Sequence, residues 1–330
     1  MITLLVKKRI IFTYIIIGIA FLALFLRLTY VKTYKSKEYY EKALDLWTRN
    51  APIEGRRGNI YDRNGNLIVG SKLTPTIVAI PRQIKNKATT AKKIADIVDC
   101  TTNDILKHLN KAVSVEIIKP EAQKISVEQA IEIAKLNLDG IYIVGDSSRY
   151  YPYPTCLAQV IGIVGIDNQG LLGLELEYDR YLKGKNGTKQ IDMAVDGTTT
   201  AEYVSKEATA GSDVVLTIDA NLQKVTEDAL ASNIQKIASG GFGKAYNAKA
   251  GACVVMNVNS GEVLAMASYP NYDPSDFVGG ISTEAWNNYT NNAAKPLVDK
   301  AIQNSYSPGS TYKMVTAIAG LESGAINLNT

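Results

Sequence analysis

Ser310 and Lys313 stand three residues apart in SYSPGSTYKMVTAIAGLESG, followed by Met314, Val315, Ala317, Ile318 and Leu321 at spacings that suit a buried helix. Side chains three apart lie on one helix face, so the hydroxyl and the amine are neighbours. Pro308 and Gly309 end any preceding regular structure and let Ser310 sit at the helix start. There, unpaired amides and the positive end of the helix dipole favour developing negative charge. A serine hydroxyl is a weak nucleophile until a base takes its proton, and a lysine amine in its neutral form can be that base. The chemistry implied is attack on an acyl carbon.

By itself the spacing is weak, since a chain of this length shows roughly one Ser-x-x-Lys by chance. PGSTYK also reads as a capped helix start with Ser310 as N-cap. Other pairings are scarcer. The single histidine, His108, falls in TNDILKHLNKAV and reads as a helix-surface side chain, with no nucleophile turn near it. Cys100, Cys156 and Cys253 are far apart, odd in number and without a Cys-x-x-Cys pair. That pattern argues against a disulfide framework and a zinc site, and reads as small buried residues. GGFGKA lacks the spacing of a phosphate loop. Neither a cofactor nor a metal is expected.

The elements that position the pair begin with an anchor. Ile10 to Leu26 is a run of 17 uncharged, mostly apolar residues. Extended past Arg27 through Leu28 and Val31, it reaches the ~20 residues that cross a bilayer as a helix. Lys7, Lys8 and Arg9 precede it, but Arg27, Lys32, Lys35 and Lys37 follow, so the charge asymmetry is slight. The apolar run is long for a cleaved signal, and no small-x-small site follows, so an uncleaved signal anchor is expected over 10–31 with a cytoplasmic tail at 1–9. With 36 basic and 32 acidic residues, the net charge of +4 is too mild and too evenly spread for a nucleic-acid surface.

After the anchor, residues 32–50 carry helix-like spacing, and 51–81 read as short strands broken at Gly55, Gly58, Asn64-Gly65 and Pro75. Asn64-Gly65 is a hairpin signal. From about Ile84 to Leu138 three stretches turn helical behind Ser or Thr caps, an inserted subdomain over about 84–140. A strand IYIVG, an apolar stretch LAQVIGIVG and a helix GLLGLELEYDRYLKG ending at Gly184 come next. Short polar strands follow from Lys189 to Ile218, then an amphipathic helix ended by Gly240-Gly241. GACVVMNVNSGEVLAMAS reads as two strands joined at Asn259-Ser260-Gly261.

PGSTYK before a small-residue helix resembles the active-site serine motif of class B penicillin-binding proteins. RRGNIYDRNG (56–65), SRYYP (148–152) and GLELEYDRYLKG (173–184) are similar to the family's three non-catalytic motifs, in the same order. LTIDANLQ and SGEVLAMASYPNYDP look like its linker helix and first catalytic strands. The resemblance runs from the anchor to the last residue, and the order of the motifs is far more specific than any one of them. It implies an α+β chain with one transmembrane helix. An elongated pedestal (dimerisation) domain follows over 32–205, and the start of an α/β serine transpeptidase domain over 206–330.

It also implies that Ser310 is the nucleophile and Lys313 the base, and that Arg57, Asp62, Arg63, Arg149, Glu175, Glu177 and Asp179 form a polar network in the pedestal. Arg57 or Arg63 is expected near Glu175, Glu177 or Asp179. The expected reaction cross-links peptidoglycan stem peptides, or a lipid-linked precursor, through an acyl-enzyme that β-lactams trap. A glycosyltransferase partner and other wall-assembly proteins are implied as well. Pro154 stands where the family has glycine, Gln159 where it has histidine, and Asp299-Lys300-Ala301 where Asn-Arg-Ala is common. The family's Ser-x-Asn and Lys-Thr-Gly elements are not found in the 20 residues after Ser310, so these 330 residues are expected to be inactive alone. Two other readings share Ser-x-x-Lys or the anchor: a β-lactam sensor or β-lactamase, against which the large N-terminal region speaks, and a non-catalytic interaction module.

Overall fold

The computed structural model describes residues 4–40, 48–194 and 199–330. It is mixed α+β and divides into two compact units interleaved in sequence. One comprises Met1–Gly55, Thr74–Asp146 and Lys185–Thr209; the other comprises Arg56–Leu73, Ser147–Gly184 and Ala210–Thr330. The stretch 32–205 therefore supplies segments to both.

In the first unit one helix, Arg9–Tyr40, is long and apolar enough to span a membrane. Phe12, Ile15, Phe21, Leu22 and Phe25 are all exposed around it, as befits a helix whose solvent is lipid. Its turn at Val31–Lys35 widens to π-helical hydrogen bonding. Of the helix-like stretch 32–50, residues to Tyr40 are helical, 41–47 lie outside the described residues, and Thr48 already begins a strand.

That strand, Thr48–Ile53, pairs antiparallel with Gly187–Met193, which pairs on its other side with Thr199–Lys206. Pro52 falls on the edge strand, where its missing N–H costs no ladder bond. Helices Lys87–Val98, Thr102–Leu109 and Val127–Lys135 close over Ile77 and Ala79, burying Ile94, Ile105, Leu109, Ile118 and Ile133. Thr101 and Ser126 cap the second and third, and Ser126 forms a reciprocal capping box with Gln129. The first helix starts at Asn86 instead of a Ser or Thr, because the Asn86 side chain accepts from the Thr89 amide. His108 is not a free surface side chain. Its ring sits between carboxylates, Nδ1 2.6 Å from Glu116 and Nε2 3.2 Å from Glu121.

In the second unit Ile60–Tyr61 turns at Asn64-Gly65 into the strand beginning at Leu67, with Gly65 at φ +82°. Ile60–Tyr61 also pairs in parallel with Val214–Val215. Ile60, Ile68, Val69, Tyr151, Leu157, Ile161, Leu182 and Ile218 form the core. Helix Ala220–Ser239 lies against the hairpin of Gly251–Met256 and Val263–Tyr269. Gln223 is buried there and imitates a strand edge, accepting from the Met266 amide at 2.7 Å and donating to its carbonyl at 2.9 Å.

Three sequence expectations change. No break occurs at Pro75: the strand Leu67–Ala79 runs straight through it, and the Pro75 carbonyl accepts from Ile125. The helix expected to end at Gly184 is two short turns, Gly173–Glu177 and Asp179–Leu182, parted at Tyr178. The cysteines are free but only partly buried. Burial, with Glu227 adding to it, pushes the Cys156 thiol up to about 12.

Candidate active site

Gly309 adopts φ +57°, a left-handed conformation that side-chain-bearing residues resist, with open space where a Cβ would sit. It opens a 3-10 turn, Gly309–Tyr312, that runs directly into the α-helix Lys313–Glu322. Ser310 lies inside the turn and is not its N-cap; no side chain caps either the turn or the helix. The Lys313 amide bonds back to the Ser310 carbonyl, which places the two residues one turn apart. Both side chains are exposed, and among the described residues neither makes a hydrogen bond. The helix is not buried as its apolar pattern suggested. Met314, Val315 and Ile318 are 72%, 51% and 60% exposed, because no element among the described residues packs over them.

The charged residues of the motifs behave in the opposite way. Arg57 Nε donates to Glu175 Oε2 at 2.6 Å, Nη1 to Asp179 Oδ1 at 2.6 Å and to the Asn168 carbonyl at 2.9 Å, and Nη2 to the Glu175 carbonyl at 2.7 Å. Arg149 reaches the same Glu175 carboxylate at 2.8 Å, and also donates to the Gly58 carbonyl and to Ser71 Oγ. Arg57, Arg149 and Glu175 are buried, and a buried charge is tolerated only when it is paired; each guanidinium here meets the Glu175 carboxylate, although Arg149 Nε has no hydrogen-bond partner. Burial pulls the Arg149 guanidinium below its ordinary range while Glu175 opposes it. Burial would raise Asp179, but the Gly170 amide and Arg57 outweigh it and hold the carboxyl low. Gly170 is required: a Cβ there would stand 2.0 Å from the Glu175 carbonyl oxygen.

The other three network candidates lie elsewhere. Asp62 is fully buried and closes the hairpin turn, accepting from the Asn64 and Asn66 amides at 2.8 Å and from the Ala220 amide at 3.1 Å. Burial alone would raise its carboxyl; these bonds, led by the Asn66 side chain, lower it. It thereby ties the turn to the start of helix Ala220–Ser239, whose N-cap Asp219 takes a bond from Asn64. Arg63 stands 3.6 Å from Glu262 with the two side chains 36% and 37% exposed, and Glu177 is exposed outside the cluster.

Two residues that the sequence marks only as departures from the family pattern are buried and bonded on the way to Ser310. Gln159 donates to the Pro270 and Pro296 carbonyls, and a lone amide inside LAQVIGIVG was its signal. Lys300 is 2% exposed, and its place where the family commonly has arginine gave no sign of that burial.

Residues 52–216 match the penicillin-binding protein dimerisation domain, and residues 251–330 match the penicillin-binding protein transpeptidase domain. The chain belongs to the class B penicillin-binding proteins. It is 35% identical over 98% of its length to Stage V sporulation protein D of Bacillus subtilis, covering 47% of that protein. It is 29% identical over 89% of its length to peptidoglycan D,D-transpeptidase MrdA of Escherichia coli, covering 48% of that one. This penicillin-binding protein chain thus spans about half the length of the curated relatives it matches. Among solved structures, the complex of penicillin-binding protein PBP2 with MreC from Helicobacter pylori aligns over 86% of the chain and 54% of its own. The TM-score is 0.67 at 26% identity. A peptidoglycan synthase complex that coordinates polymerization and crosslinking aligns over 97% of the chain and 56% of its own, at TM-score 0.58 and 28% identity.

Proposed function

We propose that this chain carries the nucleophilic half of a membrane-anchored serine D-Ala-D-Ala transpeptidase that cross-links peptidoglycan. The observation that carries the reading is the match of residues 251–330 to a transpeptidase domain, with Ser310 and Lys313 one turn apart on an uncapped helix start. Residues 32–205 serve as the pedestal and 206–330 as the first part of the catalytic domain. The N terminus is cytoplasmic and the bulk lies outside, where stem peptides or their lipid-linked precursor, β-lactams, a glycosyltransferase and other wall-assembly proteins meet it.

Ser310 Oγ attacks the carbonyl carbon of the penultimate D-alanine while Lys313 Nζ takes the hydroxyl proton. The tetrahedral oxyanion gathers charge near the open amides of the helix start. The peptide C–N bond breaks, the terminal D-alanine leaves with the proton, and an acyl-Ser310 ester remains. An amine from a second stem peptide attacks that ester, forms the new amide and returns the proton to Ser310. A β-lactam follows the first step, but its amine stays tethered to the acyl group. Positioning of the carbonyl is worth several powers of ten, so these 330 residues by themselves should show no measurable acylation.

The test is labelling by fluorescent penicillin of the 330-residue chain and of a chain with the relatives' full length, each as wild type, Ser310→Ala and Lys313→Ala. Labelling of the long wild type alone is expected. Labelling of long Ser310→Ala contradicts the nucleophile, and fast hydrolysis of the adduct points to a β-lactamase instead.

A further inference from the structure

Within these 330 residues few bonds join the segment that bears Ser310 to the rest of its unit. Among the described residues, one hydrogen bond joins residues 304–330 to the rest of their unit: Tyr306 Oη donates to the Lys300 carbonyl at 2.9 Å. The others, such as Thr311 Oγ1 to the Pro308 carbonyl and the Ile326 amide to the Gly320 carbonyl, stay within the segment.

The acceptor end, by contrast, is held from every side. The Lys300 ammonium donates to the Lys295 carbonyl at 2.8 Å and the Val298 carbonyl at 3.3 Å. Its amide donates to Ser268 Oγ at 3.1 Å, and that hydroxyl donates to the Val298 carbonyl. The neighbouring turn is stapled as well, with the Asp299 amide on Gln303 Oε1 and the Gln303 amide on the Asp299 carbonyl. Pro296, inside the loop that Lys300 ties, accepts from Gln159. Among the described ion pairs the buried ammonium has none, and burial pulls it below the usual lysine range while Asp299 opposes. A charge kept in that position costs stability that an apolar side chain of similar volume would not. What the charge supplies is backbone geometry: it fixes the carbonyl on which Tyr306 closes.

We propose that Lys300 and Tyr306 form a latch that positions Ser310, Lys300 fixing the 295–300 loop and Tyr306 seating the serine turn upon it. The catalytic meaning of the latch rests on the function proposed above; its mechanical meaning does not. Tyr306→Phe is the decisive variant, because it keeps the ring of a side chain that is 60% exposed and deletes only the hydroxyl.

The mechanical test uses the 330-residue chain in detergent, with its three cysteines replaced and spin labels at Glu284→Cys and Glu322→Cys. Electron resonance should give a narrow distance distribution that broadens clearly in Tyr306→Phe; an unchanged width overturns the latch. Lys300→Met should broaden it too, and should it fail to fold, Tyr306→Phe still decides. The catalytic test uses a chain of the relatives' full length. There Tyr306→Phe should lower the maximal rate of penicillin acylation by roughly tenfold or more while the half-saturating concentration stays put. A changed half-saturation with an unchanged maximal rate overturns the positioning role. Labelling that survives Ser310→Ala sinks the function and leaves the distance measurement standing.

Discussion

The Arg57–Arg149–Glu175–Asp179 cluster and the Ser310–Lys313 turn are both built from polar side chains, yet they are held in opposite ways. In the first, two guanidiniums share one buried carboxylate and between them engage three backbone carbonyls, and segments 118 residues apart in sequence are fastened together. In the second, both side chains are exposed and, among the described residues, a single tyrosine hydroxyl makes the hydrogen bond that joins the segment to the rest of its unit. Buried charge is safe only when it is paired and most of its hydrogen bonds are filled, and here each guanidinium has a carboxylate and backbone carbonyls, with Arg149 Nε left without a partner. Within these 330 residues no partner fills the bonds of Ser310 and Lys313, the residues proposed as nucleophile and base.

The largest effect that sharpens this contrast is Glu175→Ala. It leaves Arg149 buried without a carboxylate and Arg57 with Asp179 alone, and should cost about 3–5 kcal/mol in urea unfolding followed by circular dichroism. A cost below about 1 kcal/mol would place the cluster with ordinary surface ion pairs. Gly170→Ala drives a methyl group into the Glu175 carbonyl and should cost about 2–3 kcal/mol, without any change of charge.

Acid should act on the same region. Asp62 and Asp179 have carboxyls held below the ordinary aspartate value of 3.8, so their contribution is fully present above that value. As pH falls through the lowered values, the unfolded chain binds more protons than the folded one and stability drops. Unfolding between pH 6 and 2 should show that loss, and Asp62→Asn should flatten it; an identical slope in the variant would contradict the role given to Asp62. At the small end, Ser310→Ala and Lys313→Ala should change stability by less than about 0.5 kcal/mol, since neither side chain is bonded or buried.

Local signals carried much of the fold. The Asn64-Gly65 turn, the Thr101 and Ser126 caps and the Asn259–Gly261 connection are written in adjacent residues, where a donor and its acceptor are a few positions apart. Pro75 misled because a proline costs a strand one donor but still offers its carbonyl, which Ile125 uses. Motif order pointed to Arg57, Glu175 and Asp179, but spacing gave no means of separating Glu175 from Glu177. The short turn at Gly173–Glu177 aims one inward and leaves the other in solvent. Asp62 was grouped with the arginines, although an aspartate two residues before a turn finds backbone amides first. The sequence marked Lys300 as a departure but could not show its burial, since its partners are carbonyls, which every residue has.

Acylation of Ser310 is the step on which the proposed function turns. Peptide mapping by mass spectrometry, after brief exposure of a chain of the relatives' full length to penicillin, tests it most directly. One penicilloyl adduct is expected, on the peptide that contains Ser310, absent from Ser310→Ala and slowed in Tyr306→Phe. An adduct on any other residue, or a full-length folded chain that stays unmodified, would contradict it.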